Sequence, residues 1–153
     1  MRLQDILHVD RVDVQLNAAD KGQALRALAE LFVRADDDLD ADAIVRVFEE
    51  REALASTGVG SGVAIPHGRL PDVTTLRAAL GVSPEGVPFD AIDGRPARIL
   101  VAVLAPNRQT GDHLKALARF SRVLRDEETR ERLLEAADAQ EAVDVLIGSD
   151  HGR

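Results

Sequence analysis

The chain predicts an α/β fold, a sheet covered by helices on both faces. Amphipathic helical patterns and apolar runs of strand length alternate along its 153 residues. The run Ile99 to Leu104 has no polar face, as expected of a central strand covered on both sides. No repeat, linker or low-complexity tract divides the chain, so residues 1–148 read as one domain and 149–153 as a frayed tail without an apolar anchor.

The elements follow in order. Val12 to Leu16 reads as a strand. Residues 20–35 form a helix in which Asp20 and Gln23 make a capping box, and Leu25, Leu28, Ala29 and Phe32 form one stripe. The run Asp36-Asp37-Asp38 breaks the pattern and reads as a solvated loop rather than a metal site. A second helix, 41–54, is capped by Asp40, with Ile44, Val47, Phe48 and Leu54 inward and Arg51 on the last turn.

Next comes the stretch from Ser56 to Arg69, STGVGSGVAIPHGR. Gly58, Gly60 and Gly62 free the backbone to bend, and Val63 to Ile65 is a short buried strand. Pro66 has no N–H for a sheet ladder, so it is expected to end that strand and leave His67 at its rim. Leu76 to Val82 and Ala97 to Ala105 are further strands, with turns marked by Pro84, Gly86, Pro88, Asp93, Gly94 and Pro96.

The last third is helical. Thr110 and Gly111 precede a stripe of Leu114, Leu117, Ala118 and Leu124. Asp126 caps a shorter helix through Leu133 and Leu134. Asp138 with Glu141 opens another, carrying Ala142, Val145 and Leu146 until Gly148 stops it.

Composition narrows the chemistry. A net charge of −8 and 3% aromatics argue against direct nucleic-acid binding, which wants cations and stacking rings. There are no cysteines, which removes disulfides, thiolate catalysis and zinc–thiolate sites. No run reaches the ~18 apolar residues of a membrane span, and the expectation is a soluble cytoplasmic protein.

Two of the four histidines are placed for chemistry, while His8 and His151 near the termini read as solvated. His67 stands at a strand end among glycines. His113 falls in the first turn of a helix, where the dipole keeps an imidazole neutral. Acyl transfer would need a nucleophile, and no G-x-S-x-G elbow is present. Metal binding would need a further ligand beyond His67 and His113, such as Asp72 or Asp112. Phosphoryl transfer to the imidazole needs less: a neutral ring nitrogen, positive charge and N–H donors. His67, the glycine-loop amides, Arg51 and a hydroxyl from Ser56 or Thr57 would meet those needs. No Walker A or dinucleotide fingerprint occurs, so the phosphoryl donor is expected to be another phosphoprotein.

At these residues the chain resembles the enzyme IIA domains of the fructose/mannitol class in the bacterial phosphoenolpyruvate phosphotransferase system. STGVGSGVAIPHGR matches their active-site signature, Arg51-Glu52 their Arg-Glu, and Asp112-His113-Leu114 their second histidine. Phe89-Asp90-Ala91-Ile92-Asp93-Gly94 looks most like the nitrogen-related branch. The resemblance implies a mixed sheet sandwiched between helices, with His67 as a phosphohistidine that accepts through Nε2 from HPr or its nitrogen-branch counterpart. It also implies that His113 helps hold the phosphoryl group and that Arg51 supplies charge, with no metal or cofactor required.

Three functions follow for testing. The first is a regulatory phosphocarrier whose phosphorylation state changes which targets it binds. The second is a sugar-transport IIA that passes phosphate to a fructose- or mannitol-type IIB domain. The third is a metal-dependent hydrolase using His67 and His113.

Overall fold

The structure, a computed structural model, describes residues 1–36, 38–108 and 110–152. Asp37 of the aspartate run and Arg153 of the tail lie outside the described residues.

A mixed sheet is built on two long antiparallel strands, β5 (Arg77–Val87) and β6 (Ala97–Ala105), in sequence numbering. The first strand, β1 (Leu7–Asp13), runs parallel to β5. Beside β6 lie β3 (Val63–Ala64) and β4 (His67–Arg69), both parallel to it, and β2 (Gly58–Gly60) pairs antiparallel with β3. The order is β1-β5-β6-β3-β2, with β4 continuing along β6.

The period of two along β6 divides the core. Leu100, Ala102 and Leu104 face α1 (Lys21–Ala35) and α2 (Ala41–Leu54), packing with Leu28, Phe32 and Phe48. Ile99, Val101 and Val103 face α3 (Thr110–Leu124), α4 (Glu127–Leu134) and α5 (Ala139–His151), packing with Phe120, Leu133 and Leu146. Helices therefore cover both faces, as expected. Asp20, Asp40, Asp126 and Asp138 cap their helices through side-chain acceptors.

The short strand stops at Ala64, ahead of Pro66 as expected, but pairing with β6 resumes at His67. Val63 lies opposite Ile99 and His67 opposite Val103, so the register is the same before and after the proline. The amide of Val103 donates to the Pro66 carbonyl at 3.0 Å. The nitrogen and carbonyl of one strand residue face the same neighbour, so the proline takes one donor out of the β6 ladder while its acceptor stays in it. His67 thus shares a face with Val63 and Ile65, toward α3.

Other departures have local causes. The first strand lies earlier than Val12 to Leu16, starting at Leu7, while Leu16 beyond it still donates its amide to Val82. The strand at Leu76 to Val82 continues as β5 through Pro84 and Gly86, because a bulge between Val82 and Val87 absorbs the proline. Leu54, expected inward, is 81% exposed on the last turn of α2. The inward stripe of α3 is His113, Ala116, Phe120 and Val123, leaving Leu114 65% exposed and Ala118 on the surface.

Helix α5 passes through Gly148 to His151, so residues 149–151 are helix and not a frayed tail. Asp150 is the reason. Its buried carboxylate accepts from the Leu3 amide at 3.0 Å and from Arg119 Nε at 2.6 Å, tying the two ends of the chain together.

Candidate functional site

His67 opens β4, half-buried, on a segment with β6 on one side and no strand paired to its other side among the described residues. Its neighbour Gly68 lets α2 approach: a Cβ there would lie 2.9 Å from Val47 Cγ2. That close approach brings Arg51, on the last turn of α2, to the ring. Arg51 Nε donates to His67 Nε2 at 3.2 Å, while His67 Nδ1 lies 2.8 Å from the Ile65 carbonyl oxygen.

The two contacts fix the tautomer. A guanidinium only donates and a carbonyl only accepts, so the proton sits on Nδ1 and the lone pair on Nε2. Burial and then the Arg51 charge hold the His67 pKa below its ordinary value, opposed by the Ile65 hydrogen bond and the Glu52 charge. The ring is neutral at pH 7.

His113 meets it from the other side. The two ring centroids are 5.4 Å apart, with planes at 76°. His113 is only 6% exposed, and its Nε2 is buried without a hydrogen-bond partner among the described residues. Its pKa is pushed down to about 4, chiefly by burial, then by His67 and by Arg69. The helix-dipole reading anticipated the direction, but desolvation leads.

Ser56 and Thr57 are not brought to His67. The Thr57 hydroxyl and amide both donate to Glu52, and the residue is buried. Ser56 Oγ donates to the Phe89 carbonyl and accepts from the Gly58 amide. Nor are all the glycine-loop amides free to form a cradle. Those of Thr57, Gly58 and Ser61 go to Glu52, Ser56 and Asp93. The positive φ values of Gly60, Ser61 and Gly62 serve the tight β2–β3 turn. The loop is scaffolding.

Charge comes instead from two arginines. Arg51 touches His67. Arg69, two residues along β4, is exposed without a hydrogen-bond or ion-pair partner among the described residues, and its charge reaches His113. Arg69 ends the glycine-rich signature, and period-two placement beside His67 is the sequence signal that marks it. Glu52 stands in the Arg-Glu pair with no local sign of its own role, and Lys21, which it pairs with, carries no local signal at all. Among the described residues no group of three or more His, Cys, Asp or Glu is arranged to hold a metal, and no helix is long and apolar enough to cross a membrane.

Two imidazoles thus stand edge to face, with the His67 Nε2 lone pair capped by the Arg51 guanidinium. Residues 5–148 match the family described as "Phosphoenolpyruvate-dependent sugar phosphotransferase system, EIIA 2", and the chain belongs to it. It is 38% identical over 144 residues to a "PTS system fructose-specific EIIA component" of Haloferax volcanii, covering 94% of each chain. It is 35% identical over 146 residues to a "Nitrogen regulatory protein" of Bradyrhizobium diazoefficiens, covering 95% of each. The crystal structure of the nitrogen regulatory protein IIA-Ntr from Neisseria meningitidis superposes with a TM-score of 0.86 at 31% identity, over 93% of this chain and 97% of that one.

Proposed function

We propose that the protein is a phosphocarrier that accepts a phosphoryl group on His67 Nε2 and regulates target proteins through its phosphorylation state. The observation that carries this reading is the tautomer: Nε2 is the unprotonated nitrogen and faces Arg51. The donor is the phosphohistidine of an HPr-type protein. As the Nε2–P bond forms, the P–N bond to the donor imidazole breaks, and that ring leaves with the electron pair. Positive charge grows on the His67 ring, where the Nδ1–H bond to the Ile65 carbonyl steadies it.

Arg51 turns from the lone pair to the phosphoryl oxygens. His113, neutral and with an unpaired Nε2, donates to another oxygen. On this reading the protein works in the cytoplasm beside its donor and needs no metal. Intact-mass measurement with phosphoenolpyruvate, enzyme I and an HPr-type donor should reveal an added acid-labile phosphoryl group, absent in His67→Ala. Retained uptake in that variant would sink the assignment.

A second reading is favoured by the fructose-specific relative: a sugar-transport IIA that hands phosphate to a IIB domain. Transfer of the label from the phosphorylated protein to the cysteine of a purified fructose-type IIB domain would support it.

A further inference from the structure

Next to Arg51 on α2 stands Glu52, a carboxylate with only 6% of its side chain exposed. Buried charge is costly unless it is fully paired, so a carboxylate in this position calls for an explanation. Its oxygens accept from the Thr57 amide at 3.2 and 3.1 Å, from the Thr57 hydroxyl, and from Lys21 Nζ at 3.0 Å. Lys21, at the start of α1, also pairs with Asp90 at 3.1 Å, and its ammonium lies 5.0 Å from the Phe89 ring centroid. The carboxylate joins the first turn of α1 to the turn after α2, and Lys21 carries the link on to residues 89–90.

Arg51 depends on the same turn. Its Nη1 donates to the Ala55 carbonyl at 2.9 Å while its Nε reaches His67. Ala55 and Thr57 are two residues apart, so whatever fixes Thr57 also fixes the carbonyl that aims Arg51. We propose that Glu52, clamped by Lys21 and Thr57, is a positioning residue that sets the Arg51 guanidinium on His67 Nε2 and so speeds phosphoryl acceptance. The inference rests on His67 as the acceptor and adds a residue that touches neither the ring nor the phosphoryl group.

The test compares Glu52→Gln and Thr57→Val with wild type in the full chain. It measures single-turnover acceptance from an HPr-type donor, the NMR titration midpoint of the His67 ring, and thermal melting. The groups facing His67 are Arg51 and Glu52 from α2, His113 from α3 and Arg69 from β4. Thr57→Val changes no charge, so a raised midpoint reports Arg51 moving away from the ring, whereas Glu52 moving away would lower it. The shift is expected upward, because the Arg51 charge holds the midpoint down. Glu52→Gln should slow acceptance on the order of tenfold or more, as misplaced reacting groups do.

Lower melting temperatures with wild-type acceptance and an unmoved His67 midpoint would overturn the proposal, leaving Glu52 a structural clamp. If Glu52→Gln fails to fold, Thr57→Val decides alone by the same two readouts. If wild type takes up no phosphoryl group while Thr57→Val still raises the midpoint, the acceptor reading falls and the positioning stands.

Discussion

The imidazoles of His67 and His113 meet edge to face at 5.4 Å, one carried by an edge strand and the other by the inward stripe of a helix. After burial, the His67 ring helps keep His113 uncharged, because a proton on both rings would repel inside a partly desolvated pocket. The pair is therefore most useful where both rings are neutral.

Acceptance should depend on pH accordingly. His67 is held below its ordinary value of 6.5, so protonation of Nε2 removes the nucleophile only in mildly acidic solution. The rate of acceptance should be flat above about pH 7 and fall as pH drops through the His67 midpoint. Single-turnover rates from pH 5 to 8 check this; a rate still falling between pH 8 and 7 would contradict it.

Stability should carry the imprint of His113. The unfolded chain takes up its proton near pH 6.5 and the folded one near 4, so between these values the unfolded state binds more protons. This contribution is fully present above about pH 6.5 and is lost as pH falls toward 4. It is worth on the order of 3 kcal/mol across the whole range. Denaturant unfolding of wild type and His113→Leu at pH 7.5 and 4.5 isolates it, because the variant should lose less stability on acidification.

The same substitution should separate stability from function. His113 Nε2 is a buried polar atom without a partner among the described residues, which costs about 1–3 kcal/mol. His113→Leu removes that atom and should raise the melting temperature, while slowing acceptance about a hundredfold. A variant both less stable and fully active would refute this account of the residue.

Gly68→Ala should act at a distance from the chemistry. The added methyl would sit 2.9 Å from Val47 Cγ2 and push α2 from the strand, costing about 1–3 kcal/mol by overpacking. Because Arg51 rides on α2, the contact with His67 should lengthen and acceptance should slow in the folded protein. Melting curves and acceptance rates measured together check both effects.

At the far end, Asp150→Asn should be costly. It would leave Arg119 without its carboxylate in a partly buried ion pair, a loss of about 3–5 kcal/mol by analogy with other broken buried pairs. Gly148→Ala should do the opposite by about 0.5–1 kcal/mol, since the glycine lies inside the helix with open space around it. Chemical denaturation of the two variants decides.

The layered architecture is legible in the sequence because β6 is apolar on both faces and because the capping aspartates mark where four helices begin. The phase of α3 is not. Hydrophobicity alone turns Leu114 inward and His113 outward, whereas the tertiary partner of His113 reverses them. Glu52 escapes for a related reason: one of its partners, Lys21, lies 31 positions away on another helix. Gly148 looks like a helix stop until Asp150, two residues later, is drawn into the interior by Arg119 and the Leu3 amide. Local rules fail at these places because distant groups decide them.

The tether from His67 Nδ1 to the Ile65 carbonyl has a consequence for what other proteins see. A ring so held keeps Nδ1 turned to the carbonyl, so on the proposed reading phosphorylation would yield only one of the two isomeric forms of phosphohistidine. Any donor or target would then meet the group at the same height above the strand and at the same angle, a single regiochemistry that many readers could share.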